Sequence, residues 1–170
     1  MTRDEGEAFA EFAARQLDAA YRLAALIVGD SSDAQDATHD AFLAAWRNWS
    51  TLRDPERVDA WFQRILVNTC RNALRRSKRR RILDVSDELR AVAAPGDISA
   101  EAADRDAVGR AFGRLSADHR ICLVLRYYER LTVDEIAERT GVPAATVKSR
   151  IHVALRQAGV TLAEPAEVTT

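Results

Sequence analysis

Apolar residues recur at three-and-four spacing along most of the chain. From Glu7 to Val28, Phe9, Phe12, Leu17, Ala20, Tyr21, Ala24 and Ile27 fall on one face of a predicted helix. Gly29 ends it and Ser31 or Ser32 caps the next. The second helix turns Ala34, Ala37, Ala41, Phe42, Ala45 and Trp46 inward and leaves Asp33, Asp36 and Asp40 outward. A polar break at 48–54 contains Trp49 and Leu52, and Asp54-Pro55 then supplies an N-cap and a first-turn proline. The helix opened there reaches to about Arg80, with Val58, Trp61, Phe62, Ile65, Leu66, Cys70, Ala73 and Leu74 as its buried stripe.

From Ile82 to Asp104 the periodicity fades. Asp84, Asp87, Glu88, Asp97, Glu101 and Asp104, with Ala94-Pro95-Gly96, read as an acidic linker. A second unit begins near Arg105, with Val108, Ala111, Phe112 and Leu115 on a short helix. Ser116 caps another, from Ala117 to about Tyr128. Thr132-Val-Asp-Glu135 is a capping box, Thr140-Gly-Val-Pro143 a turn, and Ala144 to Gln157 the last helix. The tail from Thr161 offers no core face. Sustained alternation of the β type is absent from the sequence. The predicted fold is all-α: two small helical domains, 7–81 and 105–160, joined by an acidic linker at 82–104.

Composition agrees with a globular helical protein: 170 residues, 47% hydrophobic, 30% charged, seven glycines and four prolines. The net charge of −1 hides a strong asymmetry. The first forty residues are acidic, whereas Arg71 to Arg81 holds seven cations and no acid. That layout suggests one surface for nucleic acid and another for a basic protein partner. Cys70 and Cys122 form no C-x-x-C pair and are expected reduced and buried, and the three histidines lack ligand spacing. No metal or cofactor is expected. Phosphate loops and nucleophile elbows are missing, so no catalytic residue is assigned and the chain is not read as an enzyme. With neither a signal core nor a membrane-length apolar run, the expected location is cytoplasmic, without membrane insertion.

Two surfaces carry candidate chemistry. Two helices joined by a Gly-containing turn are the helix-turn-helix signature, with Gly141 suited to a left-handed position and Ala137, Val142 and Val147 spaced to pack the pair. Its second helix carries Thr146, Lys148, Ser149, Arg150, His152 and Arg156, hydroxyls and cations fit for base edges and phosphates in a major groove. An ordinary helical hairpin with solvated charges is the alternative. On the long basic helix, Arg57, Arg64, Arg71 and Lys78 recur every seven residues, flanked by Asn68, Asn72, Arg75 and Arg79. Guanidinium groups neutralise phosphates, and the two asparagines lie one turn apart, able to bond base edges. Trp49 and Leu52 could support a pocket for an unstacked base. A merely solvated basic face is equally compatible with that stripe taken alone.

Three segments, in this order, resemble the extracytoplasmic-function group of RNA polymerase sigma factors. Ser32 to Arg47 looks like the helix that grips the clamp helices of the polymerase largest subunit. Ala60 to Arg76 looks like the helix that melts and reads the minus-ten element, and Leu131 to Arg150 like the minus-thirty-five reader. The resemblance covers nearly the whole chain. It implies clamp contacts at Asp33, Asp36, Asp40 and Arg47, and base capture in the loop Thr51, Leu52, Arg53 and Asp54. It implies minus-ten contacts along Arg64, Asn68, Arg71, Asn72 and Arg75. Lys148, Ser149 and His152 would face the minus-thirty-five groove beside Thr146, with Arg150 and Arg156 nearer the backbone. Implied partners are promoter DNA, core RNA polymerase (clamp helices, and the flap of the second-largest subunit) and an anti-sigma factor that clamps both domains. The linker would run through the RNA-exit path. Val153 and Leu155 stand where many relatives have arginines, and His39 where an acidic or amide residue is common.

Two other classes stay open on the residues. A DNA-binding regulator with a helical input domain would leave the Asn-bearing basic helix unexplained. A helical adaptor that binds anti-sigma factors would not need two nucleic-acid surfaces.

Overall fold

The computed structural model describes residues 3–84 and 112–158, and every regular element among them is helical. In order these are α1 (Arg3–Val28), α2 (Ser31–Arg47), two 3-10 turns (Trp49–Thr51 and Pro55–Arg57), α3 (Val58–Asp84), α4 (Ala117–Tyr127), α5 (Val133–Thr140) and α6 (Ala144–Ala158). Of the predicted linker at 82–104, the first three residues continue α3, and the rest, with the start of the second unit at 105–111 and the tail, lies outside the described residues.

α1, α2 and α3 all pack on one another, α2 against both of its neighbours. The inward positions of α2 are all small: Ala34, Ala37, Ala41 and Ala45 are fully buried. Side chains that short let the neighbouring helices approach, and Phe12, Leu23, Ile27, Phe62 and Leu66 fill the space between them. Each large apolar side chain so buried contributes about 1.5–3 kcal/mol. Leu17 and Trp46, predicted inward, are half-exposed instead, at the edges of their stripes. Trp46 still meets the Phe9 ring edge-on at 4.9 Å.

The helix ends follow local chemistry. Asp30, rather than Ser31 or Ser32, caps α2, its carboxylate accepting from the amide of Asp33. Asp54 and Pro55 start the third segment as predicted, with one 3-10 turn before α3 proper. α3 continues to Asp84, past the predicted Arg80, because Ile82 and Leu83 are compatible with a helix and no glycine or proline interrupts it. Ser116 caps α4 through the amide of His119. Thr132 and Glu135 form the reciprocal capping box of α5. Gly141 closes α5 at φ +71°, the left-handed turn that the sequence required of it.

The two units are not separate bodies. α4 packs on α1 and α3, and α5 packs on α3. Ile121, Cys122, Val124, Leu125, Ile136 and Val147 belong to the same hydrophobic cluster as Ile27, Leu66 and Cys70. At the centre of this seam is Arg120, 8% exposed. Its Nη1 donates to the carbonyls of Ile27 (3.1 Å) and Val28 (3.0 Å), and its Nη2 to that of Phe112 (2.6 Å). α1 has no basic residue in its last turn, so a guanidinium from the other unit satisfies its terminal carbonyls. Gly29 permits this: at φ +82°, a Cβ there would stand 3.3 Å from Arg120 Nη1.

Candidate nucleic-acid interface

The loop that enters α3 is fixed by aromatic contacts. Trp49, in the first 3-10 turn, lies 5.1 Å from the Phe9 ring, 5.3 Å from Phe12 and 6.0 Å from Trp61. It is a wall of the fold, so of the two residues read as pocket supports only Leu52 lines the cleft. Thr51 donates from its hydroxyl to the carbonyl of Asn48, and Asp54 accepts from the amide of Glu56. Thr51, Leu52, Arg53 and Asp54 then line a cleft of about 430 Å³ together with Arg57, Ala60, Trp61 and Arg64 of the segment that follows. The remaining wall comes from the second unit, Glu138 and Arg139 of α5.

Further along α3, Asn68 and Asn72 are exposed, as are Arg64 and Arg75. Arg71 differs. Its side chain is largely buried, Nε donating to Asp118 Oδ1 at 2.8 Å and Nη1 to Asn68 Oδ1 at 2.7 Å. The same Asp118 holds Arg150 of α6 at 3.2 Å. One carboxylate therefore bridges a candidate minus-ten cation and a candidate minus-thirty-five cation.

On α6, Lys148, Ser149, His152 and Arg156 are exposed and Thr146 is half-buried near the helix start. Val147 and Ala154 are buried on the opposite face. Leu155 packs against the small cluster of Leu115, Leu123 and Ala154, so at this position the side chain serves the core. Along α2, Asp36, Asp40 and Arg47 are exposed. Two of its acids already meet the basic end of α3: Asp33 accepts from Arg80 Nη2 at 2.8 Å, and Asp40 lies 3.8 Å from Arg76.

Sequence reading missed the residues that join the units: Arg57 to Glu138, Gln63 to Glu129 and Arg139, Arg71 to Asp118, and Arg120 to α1. The one available signal was Arg120 itself, a cation directly preceding five apolar residues. Burial pushes the Cys70 thiol up to about 12. Burial also raises Cys122 to about 11, against the opposing pull of nearby Arg150. Both thiols stay protonated and unreactive at neutral pH. Among the described residues, no group of three or more His, Cys, Asp or Glu is placed to hold a metal, and no helix is long and apolar enough to cross a membrane.

Residues 12–80 match the family model for sigma-70 region 2, and residues 105–157 that for sigma-70 region 4. Among curated relatives, the RNA polymerase sigma factor SigV of Bacillus subtilis is 35% identical over 136 residues, covering 80% of each chain. The ECF RNA polymerase sigma factor SigL of Mycobacterium tuberculosis is 30% identical, covering 85% of this chain and 82% of its own. The fold is also that of the sigma factor RpoE solved with the anti-sigma factor NepR from Bartonella quintana. That match has a TM-score of 0.67 and 22% identity, over 89% of this chain and 94% of that one. CnrH, solved with the cytosolic domain of CnrY, matches at TM-score 0.63 and 24% identity, over 91% and 86%. Both regions in order, and relatives aligned over most of their length, lead to one identification: the chain belongs to the extracytoplasmic-function group of the sigma-70 family of RNA polymerase sigma factors.

Proposed function

We propose that this chain binds core RNA polymerase and directs it to promoters by reading the minus-thirty-five element with α6 and reading and melting the minus-ten element with α3 and the loop before it. Sigma factors are regulatory subunits rather than enzymes, and every assigned residue here has a binding role. The observation that carries the reading is the cleft lined by Thr51–Asp54, Trp61 and Arg64, on the helix that one and two turns further on exposes Asn68 and Asn72. Extruding a base costs a few kcal/mol, and a preformed cleft lined by Trp61 and guanidinium groups offsets it. Asn68 and Asn72 bond exposed base edges, while Arg64, Arg71 and Arg75 neutralise phosphates.

On α6, Lys148, Ser149 and His152 face the groove with Thr146, and Arg150 and Arg156 take backbone contacts. Asp33, Asp36, Asp40 and Arg47 on α2 grip the clamp helices, and the second unit meets the flap. An anti-sigma factor is a fitting regulator, since RpoE and CnrH were solved with partner proteins. The segment that follows α3, within the predicted 82–104, passes through the RNA-exit path. Domain limits of 7–81 and 105–160 go with these roles, and the chain works in the cytoplasm.

Transcription with purified core enzyme tests the reading. The full chain should yield open complexes on a subset of genomic fragments, and Asn68→Ala should lose promoter melting, read by permanganate, while upstream protection persists. Tight operator binding without polymerase, with no open complex when polymerase is present, would overturn it.

A further inference from the structure

A second cleft, of about 560 Å³, is lined by the C-terminal half of α3 and the start of α4, and its charge is one-sided. Arg75 and Lys78 of α3 contribute to it, as does Arg114, just ahead of the Ser116 cap of α4. Their neighbours on α3 are neutralised: Arg71 is bound by Asp118, Arg76 meets Asp40 and Arg80 meets Asp33. Among the described residues, Arg75, Lys78 and Arg114 are in no ion pair. With Arg120 the lining holds four cations against one acid, Asp118, which is already shared between Arg71 and Arg150. Ala117 and Asp118 bring the first turn of α4 to the cleft, where helix amides have no partner within the helix and the dipole is positive. Ser77 adds a hydroxyl, and Val28, Leu74 and Leu115 supply apolar lining.

We infer that this cleft is a binding site for a small polyphosphate anion of up to nucleotide size. Guanidinium groups pair in bidentate fashion with phosphate oxygens, lysine adds a point charge, and a helix N-terminus favours an anion. Linked phosphates carry several negative charges on adjacent groups, which matches a cluster of four cations better than a single carboxylate does. The volume falls in the ordinary range of small-molecule sites, and the apolar lining offers a ring or sugar a surface. Asn68 and Asn72, the base-reading candidates, do not line this cleft, which sets it apart from the minus-ten surface. Arg75 alone belongs to both. The anion and the minus-ten strand therefore compete for one guanidinium, so an occupied cleft lowers promoter melting. Binding of the anion itself does not depend on the promoter reading.

Isothermal titration of the full chain with ADP and, separately, with inorganic pyrophosphate tests this, at constant ionic strength and without magnesium. Saturable binding at one site is expected, with a thermal midpoint that rises as the probe is added. Arg114→Ala and Lys78→Ala, both at exposed positions, should each weaken it about tenfold, the loss of one charge-assisted contact. Arg22→Ala, an exposed cation on α1 outside the lining, should leave binding unchanged. Pyrophosphate bound as tightly as ADP, or more so, identifies a free polyphosphate as the ligand; tighter ADP identifies a nucleotide, since only ADP uses the apolar lining. Either result supports the site. Absence of saturable binding by both probes at millimolar concentration would overturn the inference. So would an equal loss in Arg22→Ala, which indicates general attraction to a charged surface. A single-stranded oligonucleotide whose own binding falls as far as that of ADP in Arg114→Ala would assign the cleft to nucleic acid instead.

Discussion

α3 and α6 both carry cations and amides or hydroxyls at helical spacing, yet their surroundings differ. On α3, Arg57 and Arg71 are engaged by Glu138 and Asp118 of the other unit, and the base cleft shares a wall with α5. On α6, Arg150 pairs with an acid of its own unit and Gln157 meets His119 of that unit, while Lys148, Ser149 and His152 are exposed. The difference separates two tasks. Under the proposed function, α6 meets duplex DNA that already has its final form, so leaving it open brings only weak, salt-dependent binding. On α3 the engaged guanidinium groups join it to the second unit, so the two units share charged as well as apolar contacts. The contacts that join the two units leave the exposed α6 side chains unused.

The largest expected effect is therefore at Arg120. Arg120→Met keeps much of the buried stem and removes the bonds to three carbonyls, two of them at the end of α1. Hydrogen bonds from a charged donor to buried acceptors are worth about 1.5–3 kcal/mol each, and part of that is recovered by water, so about 3 kcal/mol of stability should be lost. Denaturant unfolding should change from one transition to two as the units uncouple. A single transition with an unchanged midpoint would mean that Arg120 does not join them. At Gly29, the alanine variant faces a left-handed φ and the 3.3 Å approach of Arg120 Nη1. A loss of about 1–2 kcal/mol is expected there, and it should be smaller in the Arg120→Met background, a coupling that a double-mutant cycle reads directly.

These two residues also mark where sequence reasoning stops. The alanine ladder of α2, the Ser116 cap, the Thr132–Glu135 box and the left-handed Gly141 were legible because each depends on residues within one turn of each other. The Asp30 cap was missed because three capping residues stand in a row, and only backbone geometry selects among them. Leu17 and Trp46 were misplaced because period alone does not say how wide the covered stripe is. The cleft was anticipated in Leu52 and Thr51 but not in Glu138 or Arg139, more than eighty positions away. Helical periodicity tells which face is buried and nothing about what buries it. Arg120, Asp118 and Glu138 act across that gap.

A smaller effect lies in the capping box that supports α5. Thr132→Ala removes the hydroxyl that accepts from the Glu135 amide and donates to its carboxylate, and should cost about 1 kcal/mol at pH 7. Bonds from the Thr132 amide and then its hydroxyl hold the Glu135 carboxyl below its ordinary 4.5, so the hydroxyl's share, which Thr132→Ala removes, is complete above that value. It is lost as pH falls through the depressed folded-state pKa. The gap between wild type and Thr132→Ala, followed by thermal melting, should accordingly narrow below pH 4.5; a gap that widens on acidification would contradict the assignment.

The smallest effect sharpens the comparison most. Arg57 and Glu138 sit 3.0 Å apart across the seam, but their side chains are 61% and 55% exposed. Solvent and salt screen such a pair, and its coupling should be no more than about 0.5–1 kcal/mol, shrinking further above physiological ionic strength. A cycle of Arg57→Ala, Glu138→Ala and the double variant measures it. A coupling near 3 kcal/mol would place the joint between the units at the ion pair and make it strongly salt-sensitive. The expected small value means that Glu138 supplies little of the energy that holds the two units together. That energy resides in the buried cap at Arg120 and the shared apolar seam, so high salt should weaken DNA contacts on α6 well before it opens the molecule.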